Sequence, residues 1–473
     1  MGGIKKHFVG PGGINKLFVI AFPMIISQAS ETVMMFCDRL FLSHLGEAYL
    51  SAAMIGGLTS FVFMSFWRGV VGYVNALVAQ YYGSGQKDKC ALVVVQGAII
   101  SVVGYIIVLC TIPIGWFLFS HSHHDPVQLH LETRYFTLLA VGSIFVLIKV
   151  NITSFFAGIG RTRIIMIADC AGMIANIPLT YILVFGTRFS SPLGIDGAAY
   201  GTIAGMAVSM LIIVWFYLFS DNKKEFPIMN NFRYEWAMFR KLLRYGLPSG
   251  VDVFLTVLAF NIVMLQFHSY GREIAAAISI TFSWDLVAFL PMFGISIAIT
   301  SLVGQNLGRG DVFEAERSVY SGLKVAGSYA SIMALIFLIF PGQLVNIFLQ
   351  DPDSASQAII YDVGRVMLRM VSIYIIFHVG TIVFSGALRG AGDTMWVMFC
   401  SIIFYWLFAV IELISIRLLN VAPLSAWGIF IMFPIILCIV YFFRFRGGKW
   451  KGITLTMPID KLISEKFYFD INE

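Results

Sequence analysis

The stretch QYYGSG at residues 80–85 returns as QNLGRG at residues 305–310, a shift of 225 positions. Prolines and glycines elsewhere coincide under the same shift without a gap: Pro23 with Pro248, Gly46 with Gly271, Gly69 with Gly294 and Gly97 with Gly322. Later in each half, AGIGRT at 157–162 meets RGAGDT at 389–394 with a shift of 232. Self-similarity at a fixed spacing indicates an internal duplication. The chain is therefore predicted to contain two copies of one structural unit.

The composition places both copies in a membrane. Of the 473 residues, 59% are hydrophobic and 12% are charged, and the mean hydropathy is +0.84. A soluble fold cannot hide this much apolar surface, because its exterior must be largely polar. The six cysteines lie in apolar runs without a C-x-x-C pattern, so neither a disulfide framework nor a zinc site is expected. The net charge of +6 gives little support to nucleic-acid binding.

Apolar length predicts an all-α integral membrane protein with twelve transmembrane helices, six in each copy. A span needs about 20 mostly apolar residues. The twelve predicted spans, numbered 1 to 12 below, are residues 17–43, 51–82, 90–119, 131–157, 163–187, 195–219, 241–269, 273–307, 314–341, 359–387, 393–419 and 423–443. The predicted domains are an N-terminal lobe (1–219), a linker (220–240), a C-terminal lobe (241–445) and a tail (446–473).

The distribution of Lys and Arg predicts the orientation. Counted by alternating side, 22 of these residues fall with the termini and the linker, and 4 fall in the opposite loops. Cytoplasmic loops carry the excess of positive charge. Both termini and the linker are therefore expected in the cytoplasm, with the protein in the cell (inner) membrane. Two parallel six-helix bundles are a usual layout of secondary transporters.

Two further sequence patterns have simple explanations. The glycine pairs at 83/85, 308/310, 158/160 and 390/392 follow spans on the predicted cytoplasmic side, where helix C-caps and tight turns are favoured over a gating role. The run HSHHD at 121–125 carries metal-ligand side chains, but a solvated external loop is the favoured interpretation. No metal site and no cofactor are therefore predicted.

Several motifs together resemble the MATE family (multidrug and toxic compound extrusion) over about residues 15–445. They are Pro23 followed by D-x-x-x-x-x-x-L-G from Asp38 to Gly46, the pair VAQYYG and VGQNLG, GIGRT, GALRGAGDT, and LGIDGAAYGT at 193–202. The resemblance implies a V-shaped pair of six-helix lobes. It also implies export of cationic or amphipathic compounds in exchange for H⁺ or Na⁺.

Within that resemblance, the DinF-like branch fits better than the NorM-like branch. The DinF-like branch lines its cation site with an Asp in span 1, an Asn in span 5 and a Thr in span 6, which match Asp38, Asn176 and Thr202. That branch has an acid where this chain has Thr180. Hard cations favour several oxygens with compensating charge, so the missing acid favours H⁺ over Na⁺. A lone desolvated carboxylate can bind and release a proton near neutral pH.

Other ionisable residues inside the spans form the rest of the candidate site, because each such residue is costly in a bilayer and needs a partner or a function. Glu31 lies one heptad before Asp38 and is a second coupling candidate. The NorM-like slots in spans 7 and 10 hold Thr256 and His378, so that branch's acids are not retained. A second coupling site or an anionic substrate cleft is predicted from Asp252, Asp285, His378 and Glu412. Arg68 and Lys149, with Asp169, are the predicted structural charge partners.

These residues predict an antiporter that exports small cationic or amphipathic molecules, with Asp38 as the coupling carboxylate and with the protein as a monomer in the bilayer. Three alternatives stay open at this point: Na⁺ as the coupling ion, a lipid-linked precursor flippase of the same superfamily, and an integral membrane enzyme. The enzyme alternative has no support from a D-D-x-x-D, H-E-x-x-H, G-x-S-x-G or Walker pattern.

Overall fold

The structure is a computed structural model that describes residues 10–121, 125–187, 191–219, 225–228, 231–349, 355–453 and 455–456. Its twelve apolar helical spans are Ile14–Ser43, Ala48–Gly83, Lys87–Ser120, Pro126–Gly158, Thr162–Phe185, Ile195–Phe219, Trp236–His268, Arg272–Gly308, Val312–Ile339, Ser356–Ala391, Thr394–Arg417 and Pro423–Arg446. All twelve predicted spans are thereby confirmed. Residues 122–124 of the predicted HSHHD loop (121–125), parts of the linker (220–224 and 229–230) and most of the tail (454 and 457–473) lie outside the described residues.

The spans differ from simple rods in a few places. Span 2 consists of the helices Glu47–Gly72 and Val74–Gly83, and span 3 of the helices Lys87–Cys110 and Ile112–Ser120. Span 10 is part of the helix Ala355–Ala391. A short helix, Pro341–Asn346, follows span 9, and a 3₁₀ helix, Lys449–Gly452, follows span 12. Span 7 begins at Trp236, five residues before its predicted start at 241.

The outer surface of the helices is apolar, as a bilayer requires. Phe36, Phe219 and Leu265 are among many large hydrophobic side chains that remain more than half exposed. A soluble protein rarely exposes contiguous apolar surface on this scale. Backbone polar groups are satisfied within the helices, which is the condition for crossing hydrocarbon.

The internal duplication is visible in the backbone. Gly46 and Gly271 have φ angles of 130° and 109°, and Gly85 and Gly310 both have a φ of 78°. Positive φ is the conformation that glycine tolerates and other residues rarely adopt. Each pair begins or ends matching helices of the two copies, so the repeated glycines serve as the predicted turns.

The chain groups into two compact units whose limits differ from the predicted lobes. The first unit contains Phe22–Phe254 and Gly304–Gly310; the second unit contains Leu255–Val303 and Asp311–Ile453 together with the start of span 1. The limits at 21/22, 254/255 and 303/304 fall inside helices. The lobe boundaries at 219 and 241 stay a prediction from the repeat.

The described part of the linker is fixed to the first unit by charge. Glu225 forms ion pairs with Lys87, at 3.0 Å, and with Arg161. Burial raises the pKa of Glu225, but the hydrogen bond from Lys87 and the charge of Arg161 outweigh it, so the pKa lies below its usual value. The carboxylate therefore stays ionised at neutral pH and holds the ends of spans 3 and 5 to the linker.

Candidate functional site

Spans 5 and 6 approach each other closely along a row of small residues. The row repeats every four positions on span 6 and consists of Gly197, Gly201, Gly205 and Ser209. A methyl group on Gly201 would lie 2.0 Å from Thr180 Oγ1, and one on Gly205 would lie 2.7 Å from Asn176 Cβ. Small residues allow helix backbones to pack closely in a membrane. The row therefore fixes the polar side chains of span 5 against span 6.

The carboxylate of Asp38 in span 1 meets these side chains. Asp38 is 5% exposed, and its Oδ2 accepts a hydrogen bond of 2.6 Å from Thr202 Oγ1. Asn176 and Thr180 face the same carboxylate, and Asn176 Nδ2 donates to Thr180 Oγ1 over 3.0 Å. The structure thus brings together Asp38, Asn176, Thr180 and Thr202.

The hydrogen bonding of this group is incomplete. Asp38 Oδ1 and Asn176 Oδ1 are buried and have no hydrogen-bond partner. Across the described ranges, no Lys or Arg forms an ion pair with Asp38. An unpaired acceptor in a water-poor environment costs free energy until a donor or a cation reaches it. A proton on Asp38 would turn its carboxyl into a donor and remove one of the two deficits.

Glu31, the other acid of span 1, belongs to a different network. Lys149 Nζ lies 2.7 Å from Glu31 Oε1 and 2.7 Å from Asp169 Oδ1. Arg68 lies 3.9 Å from Glu31. Two acids and two bases therefore compensate one another, as expected of a structural cluster. Glu31 is not brought to Asp38, and its predicted coupling role gains no support from this geometry.

Two serines complete the structural cluster and were not anticipated from the sequence. Ser27 and Ser209 both donate hydrogen bonds to the Asp169 carboxylate, the second over 2.7 Å. Tyr135 of span 4, which lies beside Thr202 and Asp38, was also missed. An isolated Ser or Tyr in an apolar run has no distinguishing pattern, but the four-residue spacing of Gly197 to Ser209 was a readable signal for the helix contact.

In the second unit, three of the four remaining candidate residues line one cavity. Asp285 of span 8, His378 of span 10 and Glu412 of span 11 line a cavity of about 90 Å³. Tyr374, one turn before His378, interacts with Asp285. His378 stacks on Phe289, with ring centres 5.5 Å apart. Asp252 is buried in span 7 of the first unit and is not part of this cavity.

A metal centre is not evident in the ranges that the structure describes. Within them, no group of three or more His, Cys, Asp or Glu side chains could hold a metal ion.

Comparison with known proteins places this architecture. A family model described as MatE matches residues 23–182 and 248–414. The chain belongs to the MatE family. The two matched segments begin 225 residues apart, at Pro23 and Pro248, so the family model recognises each copy of the predicted repeat.

Two relatives of this chain are named as multidrug resistance proteins. A probable multidrug resistance protein NorM from Pasteurella multocida (strain Pm70) is 27% identical over 408 residues, which cover 83% of this chain and 84% of that protein. The multidrug resistance protein MdtK from Yersinia pseudotuberculosis is 24% identical over 403 residues, covering 83% and 85%. The chain is therefore a multi-pass membrane protein of a transporter family and not an enzyme.

Solved MatE-like structures share the fold. A MOP superfamily transporter from Pyrococcus furiosus Vc1 superposes with a TM-score of 0.84 at 20% identity, covering 96% of this chain and 99% of that one. A MATE protein in complex with MaL6 gives the same TM-score and identity over 95% and 99%. The predicted fold class is confirmed. The DinF-like branch within the family stays a prediction.

Proposed function

We propose that the protein is a secondary antiporter that exports cationic or amphipathic drugs and toxic compounds in exchange for H⁺. Asp38 is its coupling carboxylate, and Asn176, Thr180 and Thr202 adjust how that carboxylate binds a proton. The protein works as a monomer in the inner membrane, with both termini in the cytoplasm and without a bound cofactor. The names of its relatives, multidrug resistance proteins, support the class of substrate.

The observation that carries the proposal is the half-satisfied carboxylate of Asp38. One of its oxygens is held by Thr202, and the other is buried without a partner. A permanently ionised structural acid would have a base beside it, as Glu31 and Asp169 have Lys149. The environment of Asp38 instead favours a group that gains and loses a proton during the cycle.

Protons are favoured over Na⁺ by the set of ligands. Beside the carboxylate, the site has the amide of Asn176 and the hydroxyls of Thr180, Thr202 and Tyr135, and Thr180 takes the place of a second acid. Hard cations bind best where several oxygens and compensating negative charge converge. A proton needs only the single carboxylate.

The proposed cycle couples proton and drug through spans 1, 5 and 6. Protonation of Asp38 from outside changes its hydrogen bond with Thr202 and its contact with Asn176, shifts these spans and releases the drug outward. Coupling needs the proton and the drug to favour different states, typically by about 1–3 kcal/mol. The membrane potential supplies about 2.3 kcal/mol per charge per 100 mV.

The test is efflux of a fluorescent organic cation from proteoliposomes, driven separately by a pH gradient and by a Na⁺ gradient. We expect the pH gradient alone to drive efflux and Asp38→Asn to lower the initial rate to less than about a tenth. Asp88→Asn, the same change at an exposed acid of the same unit, is the matched control and should keep the normal rate. Normal efflux by Asp38→Asn would refute the coupling role.

The same assay separates the remaining alternatives. Efflux driven by the Na⁺ gradient alone would mean that Na⁺, and not H⁺, is the coupling ion. A lipid-linked precursor flippase of the same superfamily would move no fluorescent cation under either gradient, although the purified protein is folded.

A further inference from the structure

A cavity of about 400 Å³ lies in the first unit, at the ends of spans 1, 2, 4, 5 and 6 that are predicted to face the outside. Leu45 and Tyr49 line it at the ends of spans 1 and 2. Leu131, Val184 and Ile195 line it from spans 4, 5 and 6. The coupling cycle described above does not involve this cavity.

The mouth of the cavity is polar and exposed. His130, Arg134 and Pro192 line it, and all three are exposed. Arg134 Nη2 lies 3.0 Å from Asp196 Oδ2, and Arg134 Nε donates to both oxygens of the same carboxylate over 3.0 Å. These two charges neutralise each other, so this pair does not call for an ionic ligand. Water needs volume and polar partners, and a cavity of about 400 Å³ with such a mouth holds on the order of ten molecules.

The cavity lies on the helix faces that carry the Asp38 site. Val184 follows Thr180 by one turn in span 5, and Leu131 precedes Tyr135 by one turn in span 4. Residues four apart lie on one face of a helix, about 6 Å from each other along its axis. The floor of the cavity is thus one helical turn from the side chains around Asp38.

One layer of apolar side chains separates the cavity from that carboxylate. Leu42, one turn after Asp38, belongs to a buried cluster that also contains Leu131 and Val184, and these three residues are called the apolar layer below. Tyr135, which lies beside Asp38, belongs to the same cluster. The cluster therefore borders the cavity on one side and the Asp38 site on the other. Apolar constrictions of this kind block ions by excluding water.

The other titratable groups near this end lie to the side of the apolar layer. Glu132 of span 4 is fully buried and accepts a hydrogen bond of 2.7 Å from Gln128, which also donates to Ser51 of span 2. Arg39, next to Asp38 in the sequence, is exposed. The last step from the cavity to Asp38 therefore crosses the apolar layer and passes Tyr135.

We propose that this cavity is an external, water-filled vestibule from which protons reach Asp38, and that the apolar layer is its gate. The proposal rests on the proposed function for the coupling ion and for the side of the membrane. Water in the cavity carries the proton to the layer. When the layer opens, a hydronium ion gives its proton to a carboxylate oxygen of Asp38 and leaves water behind. Oδ1, which has no hydrogen-bond partner, is the oxygen available to accept it.

The first test measures water in the cavity and does not require transport. Purified full-length protein in lipid nanodiscs is exposed to hydroxyl radicals from short X-ray pulses, and the oxidation of each side chain is measured by mass spectrometry. Leu131 is 9% exposed, whereas Leu211 of span 6 is 60% exposed on the apolar outer surface. Because radicals form from nearby water, we expect Leu131 to be oxidised at least about five times faster than Leu211.

The second test opens the apolar layer. Val184→Ala removes two methyl groups from the layer and should let water reach Tyr135, which is 7% exposed. We expect the oxidation of Tyr135 to rise at least about twofold, because a thinner apolar constriction excludes water less well. Val93→Ala, the same change at a fully buried valine of span 3, is the matched control and should leave Tyr135 unchanged.

The third test narrows the mouth and measures transport. Leu193 lines the cavity and is 42% exposed, so Leu193→Trp adds bulk where the fold has room. We expect the initial rate of pH-driven efflux in proteoliposomes to fall at least about threefold, because proton entry becomes limiting. Leu211→Trp, the same change on the apolar outer surface, should keep the normal rate. If Leu193→Trp fails to fold, the two labelling tests still decide.

The coupling role of Asp38 is tested separately from the vestibule. Asp38→Asn should leave the labelling of Leu131 unchanged, because the cavity does not depend on that carboxylate. Failure of the coupling proposal alone therefore leaves the labelling as predicted, whereas failure of the vestibule changes it.

Three outcomes overturn the vestibule. Oxidation of Leu131 no faster than that of Leu211 would mean that the cavity is dry. Unchanged oxidation of Tyr135 in Val184→Ala would mean that the apolar layer is not the barrier. Normal efflux by folded Leu193→Trp would mean that protons reach Asp38 by another route.

Discussion

Thr202 makes the one direct hydrogen bond to Asp38 that the described residues show, at 2.6 Å. Its methyl group can pack in the same place whether or not the hydroxyl is present. The hydroxyl therefore serves to orient and stabilise the carboxylate, and its contribution can be separated from packing by substitution.

Replacing Thr202 by Val removes the hydroxyl at nearly constant volume and takes away the donor of the hydrogen bond to Asp38 Oδ2. Loss of a hydrogen bond to a charged group costs about 1.5–3 kcal/mol. We expect the initial rate of pH-driven efflux in proteoliposomes to fall at least about fivefold. Thr202→Ser, which keeps the hydroxyl, should retain most of the rate. Equal rates for Val and Ser would show that the hydroxyl of Thr202 does not contribute to transport.

At the scale of helices, the Asp38 site depends on the contact between spans 5 and 6. Gly201 sits directly against Thr180, and Gly205 directly against Asn176. Both polar side chains are held in place by the backbone that faces them. A change at either glycine, remote from Asp38 in sequence, must therefore disturb the site.

Gly201→Ala should destabilise the protein although alanine is the better helix former. The added methyl would lie 2.0 Å from Thr180 Oγ1 and 2.8 Å from Thr180 Cα, and overpacking of this kind costs typically about 1–3 kcal/mol. We expect a lower midpoint of thermal unfolding in detergent and slower efflux. Gly57→Ala in span 2 is the matched control, because its methyl would meet only the edge of Tyr135 at 3.5 Å. A midpoint for Gly201→Ala equal to that of the control would contradict the role assigned to the glycine row.

The features of the fold and of the site that could be predicted are those that a short stretch of sequence encodes. The twelve spans and the duplication could be predicted, because apolar length and recurring glycines are read directly from the sequence. The grouping of Asp38 with Asn176, Thr180 and Thr202 followed only from the family resemblance.

The pairing of the charged side chains could not be predicted in detail, because it depends on contacts between residues that are distant in the sequence. Lys149 of span 4 pairs with Glu31 of span 1 and with Asp169 of span 5. Helix packing and side-chain rotamers decide which side chains meet in this way. The unpaired state of Glu412 is a property of everything around it, so the sequence could place the acid in span 11 but not show that it lacks a partner.

At the scale of the whole molecule, the two copies of the repeated motif make a reciprocal contact. A methyl group on Gly83 would lie 2.0 Å from the backbone oxygen of Gln305, and one on Gly308 would lie 2.1 Å from that of Gln80. Each copy of the repeated Q-x-x-G motif thus packs its glycine on the glutamine of the other copy. Both motifs belong to the same compact unit. The two glycines are therefore needed for close approach as well as for ending their helices.

This symmetry makes a quantitative prediction. Gly83→Ala and Gly308→Ala should lower the midpoint of thermal unfolding by similar amounts, since the two methyl groups would meet equivalent backbone oxygens at nearly equal distances. The double variant should cost less than the sum, because both changes open the same contact and neighbouring sites are not additive. Gly72→Ala in span 2, where nothing lies within 4 Å of the added methyl, should leave the midpoint unchanged or raise it. Tryptophan fluorescence during heating in detergent measures all four. If only one of the two glycines proves sensitive, the contact is not reciprocal, and the repeated motif serves the two copies in different ways.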